Sequence, residues 1–191
     1  YVDVGGGHPV ADNVTYYFYL KGWRGLVVEP QDALAATHRH LRPRDIVYQG
    51  LAGAADGEAD FHAVEGLHGL SSMVRSVAEE AGRFGASYKT ERHPVRRLDR
   101  LIAEAGLSRI DFLKIDVEGA EEQVLAGIDL ARIKPRVIVV EAVNPGNPDG
   151  EPGPWESRLI EAGYRFAMFD RLNRFYVAPG EPEIAARLPK E

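Results

Sequence analysis

The stretch that decides the fold is residues 110–128, IDFLKIDVEGAEEQVLAGI. It opens with an apolar run, Ile110–Asp116, and then turns through an acidic segment that contains a glycine. After the turn, apolar residues recur at helical spacing: Ala120, Val124, Leu125 and Ile128. A short apolar run followed by a 3.6-residue period predicts a buried strand leading into a helix that packs on its sheet.

The same alternation of strand and helix extends over most of the chain. Further apolar runs predict strands at Tyr1–Val4, Gly25–Glu29, Asp45–Gln49 and Val137–Ala142. Helical spacing relates Val10, Val14, Tyr17 and Phe18, and again Leu98, Leu101, Ile102 and Ala105. The four consecutive apolar residues at 137–140 are typical of a strand buried on both faces of a parallel sheet. We therefore predict a doubly wound, mostly parallel α/β sheet with right-handed crossovers.

The remaining segments complete this prediction. A strand is expected at Ala59–Val64, with loops at Glu65–Ser72 and Asn144–Pro154. A helix is expected from Trp155 to Ala162, because Gly163 is placed to end it. The runs Tyr164–Phe169 and Leu172–Val177 are separated by two residues, which predicts a C-terminal antiparallel hairpin.

Composition excludes several classes of protein. The 191 residues suit a single domain, and the net charge of −6 argues against nucleic acid or an anionic membrane as a partner. No apolar run approaches the ~20 residues that span a bilayer. The absence of cysteine excludes disulfides, thiolate metal sites and cysteine nucleophiles. Because no secretory signal is visible either, we expect a cytoplasmic protein.

Acidic residues end four of the predicted strands. They are Asp3, Glu29, Asp116 and Glu141. In an open α/β sheet, ligands bind outside the carboxyl ends of the strands, where the strand order reverses. The sequence therefore predicts an acidic binding site at this edge, with Asp116 and Glu141 on neighbouring strands.

A glycine run, Gly5–Gly7, follows the first strand and permits close approach of a ligand. The run does not complete a dinucleotide fingerprint, because Val10 stands where the third glycine is required. Glu29, roughly 20 residues further on, is placed to accept hydrogen bonds from ribose hydroxyls. A glycine loop and an acid placed to bind ribose, with no phosphate-binding motif, favour a nucleoside cofactor without phosphates, such as S-adenosylmethionine.

Five segments together resemble the FkbM family of methyltransferases. They are YVDVGGG (1–7), GWRGLVVEP (22–30), DFLKIDVEGAEEQVLAG (111–127), RVIVVEA (136–142) and FDRLNRFYV (169–177). They occur in the family's order and cover nearly the whole chain. The resemblance implies the class I methyltransferase fold and S-adenosylmethionine-dependent O-methylation of a sugar, glycan or hydroxylated natural product. Since that class has helices before its first strand, we expect residues 1–191 to form one domain that lacks upstream residues.

The resemblance also assigns cofactor contacts. Asp3 and Gly5 match the family's cofactor loop, Glu29 its ribose-binding acid, and Asp116 with Glu118 its acidic motif. Gly7 and Pro30 stand beside these positions, and the resemblance implies that the loop containing Ser72 borders the cofactor. Two segments depart from the family. GGHP at 6–9 replaces the usual Ala-Asn, and DRLN at 170–173 replaces Asp-Gly-Leu-Asn.

Two routes remain open for removing the proton from an acceptor hydroxyl. A side chain could act as the base, for which Asp116, Glu118, His8 and His68 are candidates. Alternatively, Asp116 and Glu141 could hold Mg²⁺ or Mn²⁺, since hard carboxylate oxygens suit these ions.

Other interpretations also remain open. One is an NAD(P)-dependent oxidoreductase on a related sheet, which Val10 and the terminal hairpin disfavour. Another is a non-catalytic binding domain of the same fold. Arg92, Arg96 and Arg97 could meet an anionic substrate, although a solvated surface is the favoured interpretation. One aromatic residue of Tyr16–Tyr19 could flank a ring of the cofactor or substrate.

Overall fold

The computed structural model describes residues 1–66, 70–143, 147 and 149–188. Its strands are β1 Val2–Val4, β2 Leu26–Val28, β3 Ile46–Tyr48, β4 Leu51–Gly53, β5 Gly57–Val64, β6 Tyr88–Arg97, β7 Phe112–Ile115, β8 Val137–Glu141, β9 Arg165–Phe169 and β10 Asn173–Val177. Its helices are α1 Val14–Leu20, α2 Asp32–Leu41, α3 Arg75–Glu80, α4 Leu98–Glu104, α5 Glu121–Ala126, α6 Glu156–Glu161 and α7 Pro182–Arg187.

Seven strands form the main sheet, in the order β3-β2-β1-β7-β8-β10-β9. The first five are parallel, and β10 lies antiparallel between β8 and β9. The predicted mostly parallel sheet with a C-terminal antiparallel hairpin is confirmed. The strand order reverses between β1 and β7, so a binding crevice is expected there.

The register brings the ends of the central strands to one level. Val4 of β1 lies opposite Val28 of β2 and Ile115 of β7, and Ile115 lies opposite Val140 of β8. The residues that follow these strands are therefore neighbours at the same edge of the sheet.

A continuous apolar core explains why the central strands hold their places. The side chains of β7 are buried throughout, and α4 and α5 contribute Leu98, Leu101, Val124 and Leu125 to the largest cluster. On the other face, Phe18 of α1 packs on Phe112 at a ring-centroid distance of 4.8 Å. Tyr16, Phe18 and Tyr19 thus pack on that face of the sheet, Tyr17 is exposed, and none of the four lines the cavity described below.

Helix α1 begins later than predicted. Asn13 caps it by accepting a hydrogen bond from the Tyr16 N–H, so Val10 lies outside the helix. Of the predicted loop at 144–154, residues 144–146 and 148 lie outside the described residues. None of the helices in the described ranges has the length and apolar character needed to cross a bilayer.

A second, three-stranded sheet has the order β4-β6-β5, and of its strands the sequence predicted only β5, as Ala59–Val64. Its strand β6 is mostly exposed and rich in charge, so it has no apolar run to reveal it. Arg92 of β6 pairs with Glu58 and Asp60 of β5, and Arg97 pairs with Asp99. These arginines therefore have carboxylate partners within the fold, as the solvated-surface interpretation expects.

Candidate functional site

A cavity of about 430 Å³ lies where the central strands of the main sheet end. This volume falls within the ~300–1,000 Å³ of small-molecule sites. The cavity is lined by residues 4–8, 11–12, 28–31, 50–52 and 116–118, and by Phe61, Ser71, Met73, Lys114 and Glu141. The second sheet contributes Leu51, Ala52 and Phe61, so it forms an apolar part of the cavity wall.

The first and last glycines of the loop after β1 have different surroundings. A Cβ on Gly5 would lie 1.7 Å from the carbonyl oxygen of Asp116, so only glycine fits between β1 and β7. Gly7 has a φ of +53°, and a Cβ there would meet no atom within 4 Å. Gly5 is therefore required by packing, whereas Gly7 leaves open space beside the cavity.

Glu29 lies directly beside this loop, although it is only 2% exposed. Its Oε2 accepts a hydrogen bond from the Gly7 N–H at 2.9 Å, and its Oε1 accepts one from the Gln31 N–H at 2.8 Å. Burial raises the pKa of Glu29 to about 7, and the two backbone N–H groups partly offset that rise. Each carboxylate oxygen keeps a further lone pair, which is free for a hydroxyl group.

Asp3 lies beneath the cavity and not on its wall, because it is fully buried. The Thr15 hydroxyl donates to its Oδ2 at 2.5 Å, and Lys114 Nζ lies 3.5 Å from its Oδ1. The same ammonium group lies 2.8 Å from Asp116 Oδ2 and donates to the Gly5 carbonyl at 3.1 Å. Lys114 therefore joins the floor of the cavity to the glycine loop.

Three carboxylates meet where β7 and β8 end. Asp116, Glu118 and Glu141 each offer one oxygen within 4.8 Å of the other two. Burial, together with the neighbouring negative charges, raises the pKa of Glu118 to about 8 and that of Glu141 to about 10. Burial would also raise the pKa of Asp116, but Lys114 and a hydrogen bond from Glu141 lower it overall. Near neutral pH, Asp116 is therefore ionised, whereas Glu141 holds a proton.

The backbone at Glu118 is held in an uncommon conformation, with a φ of +55°. The Ser72 hydroxyl donates to the Glu118 carbonyl at 2.6 Å and accepts from the Val74 N–H at 2.8 Å. Ser72 is buried, and the neighbouring Ser71 lines the cavity. Ser72 therefore supports Glu118 from behind, and its direct contact with a cofactor stays a prediction.

The two histidine candidates differ in what the structure shows. His8 lines the cavity, and its Nδ1 accepts from the N–H groups of Val10 and Ala11 at 3.2 and 2.9 Å. Nδ1 is therefore occupied as an acceptor, which leaves Nε2 as the nitrogen that carries a proton. His68 lies outside the described residues.

Sequence reasoning missed two residues that support the site. His38 was not among the candidate residues, yet it is fully buried against the glycine loop. Its spacing from Leu34 and Ala35, which are also buried, is the helical signal that could have placed it inside. Lys114 gave no comparable signal, since a charged residue within a buried strand shows its role only once its ion-pair partners are located.

The chain is similar in sequence to two characterised proteins. One is the AMB antimetabolite synthetase AmbE of Pseudomonas aeruginosa, which is 31% identical over 156 residues that cover 73% of this chain. The other is the 2-O-methyltransferase NoeI of Sinorhizobium fredii, which is 32% identical over 126 residues that cover 59% of this chain. The chain spans 7% of the length of AmbE and 51% of that of NoeI.

The fold is also similar to that of a solved structure. The crystal structure of a methyltransferase FkbM from Methylobacillus flagellatus aligns with 92% of this chain and 42% of that chain, with a TM-score of 0.51 and 18% identity. At 18% identity, this similarity shows the fold alone. The model of the methyltransferase FkbM domain matches residues 3–166, which is most of the sequence. The chain therefore belongs to the FkbM methyltransferase family.

Proposed function

We propose that this chain transfers a methyl group from S-adenosylmethionine to a hydroxyl oxygen of a sugar, a glycan or a glycosylated natural product. The observation that carries the proposal is the pairing of Glu29 with the glycine loop inside one cavity. A buried carboxylate beside a glycine turn suits the two hydroxyls of a ribose, and no phosphate-gripping motif accompanies it.

The charges of the cavity support this cofactor. Lys114 is the only lysine or arginine among the described lining residues, and it already contacts Asp3 and Asp116. Glu29, Asp116, Glu118 and Glu141 line the same space. A bound ligand with sulfonium and ammonium charges would lower the pKa values of Glu29 and Glu118 and favour their ionised forms, so these acids complement such a ligand. When bound, S-adenosylmethionine supplies an electrophilic methyl group, and the protein has to orient the acceptor and remove its proton.

Glu118 is our proposed base. Its pKa of about 8 lies close to neutral pH, so its ionised form accepts a proton more readily than an ordinary carboxylate does. Asp116 is a weaker base because Lys114 lowers its pKa, and we assign it to hydrogen bonding with the cofactor or the acceptor. The hydrogen bonds of His8 Nδ1 favour Glu118 over His8 for this role.

Two observations support a hydroxyl group on a ring as the methyl acceptor. The printed name of NoeI, a 2-O-methyltransferase, supports oxygen as the atom that receives the methyl group. The apolar wall that contains Leu51, Phe61 and Met73 can cover the hydrophobic face of a ring. Transfer of labelled methyl groups to a panel of deoxysugars, nucleotide sugars and glycosides tests this part of the proposal.

The cofactor is tested by calorimetry with S-adenosylhomocysteine and with NAD. We expect S-adenosylhomocysteine to bind the wild-type chain and Glu29→Ala to weaken binding by ~1–3 kcal/mol, because a charged acceptor for buried hydroxyls is lost. Glu161→Ala, which removes an exposed acid from α6, serves as the control and should bind normally. Binding of NAD alone would favour the oxidoreductase. An affinity for S-adenosylhomocysteine that is the same in Glu29→Ala as in wild type would refute the ribose assignment.

We also propose that Asp116 and Glu141 hold Mg²⁺ or Mn²⁺. Their oxygens suit these ions, and Glu141 Oε2 is buried without a hydrogen-bond partner in the described part of the chain. Such an ion would lower the pKa of the acceptor hydroxyl. An ion that binds the folded chain stabilises it, so Mg²⁺ should raise the melting temperature of the wild type. The ion would take the place of the proton on Glu141, so Glu141→Gln, which lacks the carboxylate, should lose that response. Full activity in EDTA, with no thermal shift by either ion, would contradict the proposal.

A further inference from the structure

His38 of α2 lies directly against the glycine loop, with no exposed surface. Its Nε2 lies 3.0 Å from the carbonyl oxygen of Gly7 and 3.3 Å from that of Gly6. Carbonyl oxygens only accept hydrogen bonds, so the proton of the imidazole must reside on Nε2. One N–H group is therefore shared between two consecutive peptides of the loop.

The other ring nitrogen supports the same assignment. Nδ1 of His38 is buried, and no hydrogen-bond partner for it occurs among the described residues. A proton at Nδ1 would thus have no acceptor there, whereas a bare Nδ1 leaves only a weak acceptor unpaired. Burial, and next the charge of Arg42, lower the pKa of His38 below its ordinary value. The ring is accordingly a neutral donor.

Gly7 is held from two directions. Its N–H donates to Glu29, at the end of β2, and its carbonyl accepts from His38, on the following helix. The preceding carbonyl, that of Gly6, also accepts from the Asn13 amide at 2.8 Å. Because glycine has no side chain that could pack against its surroundings, these hydrogen bonds are what fix the Gly7 peptide beside the cavity.

We propose that His38 is a positioning residue that preorganises the Gly6–Gly7 peptides for cofactor binding. This inference rests on the proposed use of S-adenosylmethionine. Without the Nε2–H donor, the loop would sample other conformations, and the cofactor would have to order it on binding. His38 would then influence cofactor affinity without touching the reacting atoms.

Two variants test the donor separately from the ring. His38→Phe keeps an aromatic ring but removes the N–H, whereas His38→Gln supplies an amide with two N–H groups. We expect the Phe variant to raise the Kd for S-adenosylhomocysteine and the KM for S-adenosylmethionine by ~10–100-fold, with kcat and the acceptor KM within about threefold of wild type. The Gln variant should recover most of the affinity. His40→Phe, at an exposed position on the same helix, should change neither constant.

Amide hydrogen exchange gives a readout that needs no cofactor. The Gly7 N–H should exchange faster in His38→Phe than in wild type and regain protection in His38→Gln. Nitrogen NMR of the wild type should place the ring proton on Nε2, which holds even where a variant does not fold. A ring proton on Nδ1, or unchanged Gly7 exchange and Kd in a folded Phe variant, would overturn the inference. Wild-type chain that fails to bind S-adenosylhomocysteine, yet shows the expected exchange pattern, would refute the proposed function and leave the loop contact intact.

Discussion

Replacing Glu118 with glutamine is expected to lower kcat by ~10²–10⁴-fold, the range for the loss of a general base. Glutamine keeps the shape of the side chain and cannot accept the proton of the acceptor hydroxyl. In wild type, the pH profile of kcat/KM should have an ascending limb with an apparent pKa near 8, because the base is active only when ionised. Steady-state kinetics from pH 6 to 9.5 should show that this limb disappears in the variant.

The same substitution should make the protein more stable at alkaline pH. The folded pKa of Glu118, about 8, lies above the ordinary value of 4.5. Between these values the unfolded chain is ionised while the folded chain retains a proton, so the free energy of unfolding falls as pH rises. Glutamine avoids that loss, and we expect a gain on the order of 1–3 kcal/mol at pH 8.5 and almost none at pH 4.5.

Urea denaturation at the two pH values measures this gain. The matched control is Glu122→Gln, since Glu122 is an exposed acid on the neighbouring helix α5. Its stability and kcat should stay near those of wild type. An E118Q enzyme that keeps its turnover would refute the assignment of the base, whereas equal gains at both pH values would refute the raised pKa.

Replacing Lys114 with methionine is expected to destabilise the protein by ~3–5 kcal/mol, the cost of leaving a buried charge without its partner. Burial alone would lower the pKa of Lys114, but Asp3 and Asp116 more than offset this and raise it. The ammonium is therefore charged across the accessible pH range. Methionine fills a similar volume but leaves the fully buried Asp3 with only the Thr15 hydroxyl.

The pH dependence separates this electrostatic loss from a packing defect. The methionine variant lacks the ammonium that lowers the pKa of Asp116, so its loss of stability should shrink as the pH falls toward 4 and below, where wild type also loses that ionised pair. Lys89→Met is the control, because Lys89 forms an exposed ion pair with Glu65, and such pairs contribute ~0–1 kcal/mol. A Lys114 variant as stable as that control would show that Asp3 does not depend on the ammonium.

The sequence predicts most of the main sheet because its signal is local. Runs such as Val137–Val140 predict a buried strand from neighbouring residues alone. Strand β6 gave no such signal, since its charged residues face solvent and it is stabilised by pairing with β5. The acids at the ends of β2, β7 and β8 were placed correctly around one cavity, while Asp3 proved to lie beneath it.

What stayed out of reach depended on contacts between distant segments. Lys114 and Gly5 are separated by 109 positions, and His38 and Gly7 by 31. Neither pair follows from spacing, because each requires the three-dimensional register of the strands and α2. The pKa values of Glu118 and Glu141 have the same origin, since they arise from burial and mutual proximity.

The close contact between Gly5 and the Asp116 carbonyl has a consequence for which parts of this cavity can change in sequence. With no room for even a methyl group between them, the glycine loop and the acidic turn after β7 form a single mechanical unit. A substitution that shifts one displaces the other. The β4-β6-β5 sheet contributes side chains instead, among them those of Leu51 and Phe61, to the apolar wall of the cavity. Under the proposed function, acceptor preference can therefore change through the side chains of that wall, while the backbone contact between the glycine loop and the acidic turn stays fixed.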